Sequence, residues 1–280
     1  MIRRAGTPED LELCARINNA VHPDRAVTVD QLAGATGTFF VHGGEGYAYV
    51  DRSSIPDCAF ATLRVLRDAR RRGVGGALLA AARGHAQGLG FAGVWGRVAE
   101  GDEESLRFAT RRGFEEVTRD VEVLLEIAPG DGEIAPGIVE LGDEHRRGAH
   151  TVAAECVPEM ALPQHAEVEP FDQWLEREER NSPVAFVALD GDEVVGYARL
   201  YELSAFPQRL ENGLTAVLKS HRGRGIATAL KRAQIAWAAE HGYRELKTSM
   251  VAGNDGMRAV NERLGYRPLP GWIVVRGPAR

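Results

Sequence analysis

Val65-Leu66-Arg67-Asp68-Ala69-Arg70-Arg71-Arg72-Gly73-Val74-Gly75 returns 152 positions later as Val217-Leu218-Lys219-Ser220-His221-Arg222-Gly223-Arg224-Gly225-Ile226-Ala227. The same offset pairs Ala77-Leu78 with Ala229-Leu230, Gly90-Phe91 with Gly242-Tyr243, Gly101 with Gly253, and Arg111 with Arg263. It ends by pairing Gly113-Phe114 with Gly265-Tyr266. A register held over roughly fifty positions, through helical and extended patterns alike, reads as an ancient duplication. Between the copies, Ala128-Pro129-Gly130-Asp131-Gly132-Glu133-Ile134-Ala135-Pro136-Gly137 has no hydrophobic period and is rich in Pro and Gly, the composition of a linker. The expected organisation is therefore a domain over 1–129, a linker over 130–137 and a second domain over 138–280.

The bulk properties agree with two ordinary domains. A chain of 280 residues is long for one core. Its 44% hydrophobic and 26% charged residues sit near the globular average. Net charge is -6, and the basic residues are mostly scattered arginines with lysine only at Lys219, Lys231 and Lys247, so no nucleic-acid partner is expected. Cys14, Cys58 and Cys156 lack metal or redox spacing and read as buried thiols of a reducing compartment, which fits the cytoplasm. Met1-Ile2-Arg3-Arg4 leads into charged residues rather than an apolar core, and no apolar run is long enough to span a bilayer, so no membrane role is expected.

The coarse pattern predicts a mixed α/β (α+β) fold in each half, a mainly antiparallel sheet flanked by helices. In the first half, strands are expected at Ile2–Ala5, Phe39–His42, Tyr47–Asp51 and Ala59–Leu66. Helices are expected at Pro8–Val21, with Thr7 as cap, and at Val74–Leu89. The second half repeats the plan with strands at Ile138–Leu141, Val184–Leu189, Val194–Leu200, Leu214–Leu218 and Glu245–Val251. Its helices are expected around His145–Cys156, Phe171–Arg180, Ile226–His241 and Asn254–Leu264.

The repeated element is a buried strand, then Arg-x-x-Gly-x-Gly/Ala, then a long helix. Glycine admits a ligand to the backbone, and the free N–H groups of a helix start favour an anion such as pyrophosphate. A plain tight turn is the alternative for a single copy. A Rossmann reading fails, because Leu78 stands where the third glycine belongs. These loops, the helix after each, and Asn254-x-x-Met257-x-x-x-Asn261-x-x-Leu264-Gly265-Tyr266 with its counterpart Ser105-x-x-Phe108 and Arg112-Gly113-Phe114 resemble the GNAT superfamily, the Gcn5-related N-acetyltransferases. The whole resembles the tandem GNAT proteins. The resemblance implies acetyl-CoA as acyl donor. Its pantetheine would lie along Val65-Leu66 and Val217-Leu218, and its pyrophosphate on Arg70, Arg71, Arg72, Gly73, Val74 and Gly75 and on Arg222, Gly223, Arg224, Gly225, Ile226 and Ala227.

By the same resemblance, a neutral amine attacks the thioester directly and a carboxylate takes its proton. Glu211 stands where histone-acetylating members carry that glutamate, and the first half has Ala59 there, which places the chemistry in the C-terminal half. Glu202 is the second candidate. Glu211 as a solvated residue entering the strand is the alternative. The tyrosine that protonates the leaving thiolate in many members is replaced by Asn261, and by Ala109 in the first half. Asn254 and Asn261 either bond the cofactor or act as a helix cap and a surface residue. His22, His42, His150 and His165 have no metal-ligand spacing and read as loop or surface residues, so no metal is expected. Phe171, Trp174, Phe206 and Trp272 read as core or acceptor pocket, and Glu176–Glu179 as a solvated helix face. The expected function is acetylation of a primary amine of a small molecule. A peptide N-acetyltransferase and a non-catalytic acyl-CoA-binding protein are the alternatives, and the oligomeric state is open.

Overall fold

A computed structural model describes residues 1–53, 55–159, 168–180 and 182–280. The first half of the chain forms β1 (Ile2–Arg4), α1 (Pro8–Val21), α2 (Val29–Ala33), β2 (Thr38–His42), β3 (Gly46–Asp51) and β4 (Cys58–Val65). It continues with α3 (Val74–Gly88), β5 (Gly93–Ala99), α4 (Glu103–Thr110) and β6 (Glu115–Glu126). The second half forms β7 (Ile138–Glu140), α5 (Arg146–Cys156), α6 (Phe171–Glu179), β8 (Val184–Asp190) and β9 (Glu193–Glu202). β10 (Arg209–Val217), α7 (Ile226–Glu240), β11 (Glu245–Val251), α8 (Asp255–Arg263) and β12 (Arg267–Pro278) follow. From α3 to β6 and from α7 to β12 the starting residues keep the 152-residue offset, so the sequence repeat is a structural repeat.

Local chemistry sets these boundaries. Thr7 caps α1 in a reciprocal pair with Asp10, and Pro8 occupies the first turn, where its missing N–H costs nothing. Arg3 and the backbone N–H of Gly6 also bond the Asp10 carboxylate and hold it well below the usual carboxylate range. The β10 strand begins five residues earlier than its apolar run suggests. Glu211-Asn212-Gly213 masks it, and a register shift between Asn212 and Thr215 absorbs the irregularity.

Two compact units result: Met1–Thr118 with Trp272–Arg280, and Arg119–Gly271. Unit 1 has strand order β1-β2-β3-β4-β5-β12, and unit 2 has β6-β11-β10-β9-β8-β7. In each, neighbours are antiparallel except one parallel pair, β4–β5 and β10–β11. Each sheet is completed by the last strand of the other repeat. Ile273 and Val275 of β12 enter the unit 1 core, and Val123 of β6 enters the unit 2 core. This division differs from one at 130–137. That stretch lies within unit 2 and packs on α7, where a Cβ at Gly132 would sit 2.5 Å from the Ala236 nitrogen and Glu133 pairs with Arg232 at 2.8 Å.

The run Glu176–Glu179 is not wholly a solvated face. Glu178 is 2% exposed and receives the Tyr197 hydroxyl at 2.7 Å. The three cysteines are free and buried. Among the described residues, no helix is long and apolar enough to cross a membrane.

Candidate active site

In unit 1 the parallel pairing of β4 with β5 runs from Cys58–Gly93 to Phe60–Trp95 and stops. Both strands continue, and their residues line a cavity of about 820 Å³. Two faces meet there. Ala59 and Ala61 join Leu78 and Ala82 of α3 in one core, whereas Tyr47 joins Cys14 and Ile17 of α1 in another.

On the α3 side the cavity reaches the glycine loop. Gly73 is the N-cap of α3 at φ +88°, with no side-chain cap, so the first N–H groups of the helix are left without intrahelical acceptors. A Cβ at Gly73 would meet open space, while one at Gly75 would press on the Phe108 ring at 3.2 Å. Arg70 is held by Glu104 at 3.0 Å, and Arg112 lies 3.8 Å over the Phe108 ring. The result is a backbone cradle with arginines around it.

On the α1 side the cavity is lined by His22, Arg64 and Trp95. Arg64 stands opposite Tyr47 in the β3–β4 register, so both point to the α1 face. The loop carrying His22 is fastened from α1. Asn18 donates to the Arg25 carbonyl at 3.0 Å, and Asn19 bonds both the N–H and the carbonyl of Val27. Burial, helped by Arg64 and Arg25, pushes the His22 imidazole down to about 4, so it is neutral at pH 7.

Unit 2 repeats the frame with a different interior. β10 and β11 are paired from Arg209–Glu245 to Glu211–Lys247, and Gly225 caps α7 at φ +83°, again with open space at its Cβ. Val217 and Leu218 are buried, and the Val217 carbonyl accepts from Cys156 Sγ at 3.4 Å and Arg222 Nε at 3.2 Å. Where the unit 1 cavity is lined by Leu79, Gly96, Ala109 and Phe114, the equivalent positions are Lys231, Thr248, Asn261 and Tyr266, all buried. Tyr266 donates to Asn212 at 2.7 Å, and Asn212 donates to Gln234 at 2.9 Å. Lys231 is 1% exposed, and its Nζ lies 5.1 Å from the Tyr266 ring.

Burial alone pushes Lys231 down to about 7. The unfolded chain therefore holds more protons than the folded one between about pH 7 and 10.5, and stability should rise with pH across that window. Lys231→Met should remove this slope and stabilise the protein at pH 7 by about 2 kcal/mol, read from urea unfolding at pH 7 and pH 9. An unchanged slope would show that Lys231 is solvated.

The residues singled out by sequence fall in several places. Val65, Arg70, Arg71, Gly73 and Gly75 line the unit 1 cavity, while Arg72 pairs with Glu45 at 3.2 Å. Glu211 is half-buried in β10, opposite Tyr201 and Lys247. Glu202 is exposed and accepts from Tyr243 at 3.0 Å. Asn254 is a helix cap, bonding the Met257 N–H at 3.1 Å. Asn261 is not a surface residue: it is buried, and its Oδ1 has no partner. His22 is not a plain loop residue, because it lines the cavity. His42 lies 3.3 Å from Glu45, His150 bonds the Glu169 carbonyl, and His165 falls outside the described residues. Trp174 is core, stacked near Phe171 and tilted against Tyr197, whereas Trp272 lies in unit 1 under Arg25 at 4.1 Å. Among the described residues, no group of three His, Cys, Asp or Glu side chains is placed to hold a metal. Sequence reasoning passed over Arg64 and Trp95. Their equivalents, Ala216 and Lys247, show that the difference between the copies was the available signal.

The model of the acetyltransferase (GNAT) family matches residues 12–114 and 151–266. Among solved structures, a GCN5-related N-acetyltransferase from Sphaerobacter thermophilus is similar, with TM-score 0.79, 20% identity, and 100% of this chain and 96% of that one covered. A tandem GNAT protein from the clavulanic acid biosynthesis pathway gives TM-score 0.76, 21% identity and coverage of 100% and 98%. No curated protein matches the chain.

Proposed function

Because the chain belongs to the GNAT acetyltransferase family, we propose that it transfers the acetyl group of acetyl-CoA to the primary amine of a small molecule, in the cleft of unit 1. The observation that carries this reading is the cavity that joins the Gly73 loop to the α1 face, against the buried polar interior at the equivalent place in unit 2. This reading favours the N-terminal half over the C-terminal half expected from Glu211.

The residues of unit 1 fit an acyl-CoA. Val74, Gly75 and Gly76 present helix-start N–H groups without Cβ bulk at two of three positions, as a diphosphate requires. The free stretch of β4 after Phe60 is an edge for an amide-bearing chain. Acetyl-CoA supplies an activated carbonyl. The amine nitrogen attacks it, the C–S bond breaks, and the amine proton leaves to water while the sulfur departs as thiolate. With a reference pKa near 8.5, that thiolate needs no strong acid, consistent with Ala109 at the usual acid position. His22, held neutral, accepts a hydrogen bond from the amine and does not repel its charged form. The α1 end of the cavity, walled by His22, Arg64 and Trp95, offers polar groups for an amine acceptor.

CoA-thiol release with a panel of small amines and lysine peptides tests the reading. Turnover on peptides alone would make the protein a peptide acetyltransferase, and tight acetyl-CoA binding with no turnover would make it non-catalytic. A second reading places catalysis in unit 2, favoured by Glu211 standing at the point where β10 and β11 part. Glu211→Gln separates the two. It should change turnover by less than about threefold, whereas a general base in unit 2 would cost about a hundredfold or more.

A further inference from the structure

Arg64 is a cation whose charge the fold does not balance. Its Nη1 donates to the Leu63 carbonyl at 3.1 Å, and its Nε is buried without a hydrogen-bond partner. Its guanidinium lies 6.0 Å from the Trp272 ring, and the groups that act on it are Tyr47 and the like-charged Arg25. Among the described residues no carboxylate pairs with it. Arg25 and Arg70 beside the same cavity differ: Arg25 has Asp24 at 3.0 Å, and Arg70 has Glu104 at 3.0 Å and Asp102 at 3.8 Å. An unpaired guanidinium half-buried in a cavity wall costs stability unless something else answers it. The fold itself does not need the residue, since the equivalent position of the other repeat is Ala216.

A second donor shares the same cavity. Trp95 lies on the α1 side of β5, and its buried Nε1 has no hydrogen-bond partner. With His22 neutral, Arg64 is a half-buried cation at this end without a carboxylate partner among the described residues, while the exposed Arg97 lies 5.6 Å from the Trp95 ring. The arginine fork matches a carboxylate, whose single charge it balances, whereas a phosphate dianion would leave a negative charge unbalanced here.

We propose that the acceptor carries a carboxylate beside its amine, and that Arg64 binds that carboxylate at the α1 end of the unit 1 cleft. The proposal rests on the reading of this cleft as the transfer site. The amine reaches the thioester from the α1 side while its carboxylate is fixed by the arginine fork and a polar atom of its body meets the Trp95 N–H. Arg64 is thereby a substrate-binding and specificity-determining residue.

Full-length wild type and Arg64→Gln are assayed for CoA release with matched pairs, such as phenylalanine with phenethylamine and lysine with cadaverine, and with phosphoethanolamine. Wild type should prefer the carboxylated member by about thirtyfold or more in kcat/KM. Arg64→Gln should lower kcat/KM on that member by about a hundredfold, mostly through KM, with the decarboxylated partner little changed. Arg64→Lys, which keeps the charge without the fork, should fall between. Equal use of both members, preference for the phosphate, or equal loss on both members in Arg64→Gln overturns the proposal.

If none of these amines turns over, thermal shift with N-acetyl amino acids in the presence of CoA decides. Wild type should be stabilised and Arg64→Gln should not, and no shift in wild type overturns the proposal. Titration with acetyl-CoA is read separately. An acetyl-CoA stoichiometry left unchanged by Gly73→Glu defeats the unit 1 donor site, a failure distinct from that of the acceptor proposal.

Discussion

Gly73→Glu should lower turnover by two to three orders of magnitude, while Gly225→Glu leaves it within about threefold of wild type. The two glycines form a matched pair. Both are helix N-caps with φ of +88° and +83°, and a Cβ at either meets open space, so neither substitution clashes with the fold. Each pays a similar backbone strain of about 1–2 kcal/mol for a side chain in the left-handed region. Each also sets a carboxylate where a helix start would otherwise receive an anion. With strain and charge equal, the difference in turnover reports which loop holds the reacting donor. Gly73→Ala carries the strain without the charge and should retain most of the activity that Gly73→Glu loses. Circular dichroism and acetyl-CoA turnover on the three variants suffice, and loss of activity only in Gly225→Glu would return the chemistry to unit 2.

Glu178→Ala should destabilise the protein by about 3 kcal/mol or more. The carboxylate is the centre of a buried network. Tyr197 donates to it at 2.7 Å, Arg177 pairs with it at 2.6 Å, and Arg199 lies 3.6 Å away while donating to the Tyr197 hydroxyl at 2.6 Å. Arg199 is 4% exposed and lies 5.9 Å from the Tyr197 ring, so removing Glu178 strands its guanidinium in the unit 2 interior. The companion variant Arg199→Leu, combined with Glu178→Ala, should cost less than the sum of the two single changes, because the stranded charge is gone. Urea unfolding of the four proteins measures this. A loss below about 1 kcal/mol for Glu178→Ala would mean that water reaches Arg199.

Much of the fold was legible because the repeat is local. The glycine loops, the helices after them and the following strands are set by neighbouring residues, so a 152-residue offset marks equivalent structure. The exchange of β6 and β12 was not legible: both strands carry apolar residues, and nothing local says which sheet receives Val123 and which receives Ile273 and Val275. The β10 start was hidden for another reason, since Asn212 and Gly213 look like a turn until Tyr266 and Gln234 are seen to satisfy Asn212.

The candidate site divides along the same line. Its phosphate cradle is a motif, whereas its open interior is a matter of volume. Leu79 against Lys231, and Ala109 against Asn261, are positions where the cavity lining of unit 1 is matched by buried polar side chains in unit 2. Glu211 is one carboxylate at a family spacing, whereas the unit 1 cavity has walls from both faces of its sheet.

A crystal structure of the full-length protein grown with acetyl-CoA tests the central claim most directly. The expected result is the donor in unit 1, its diphosphate on the N–H groups of Val74, Gly75 and Gly76 and its pantetheine along β4 between Ala61 and Val65. Acetyl-CoA along β10 with its diphosphate on Ile226, Ala227 and Thr228, and none in unit 1, would contradict the account.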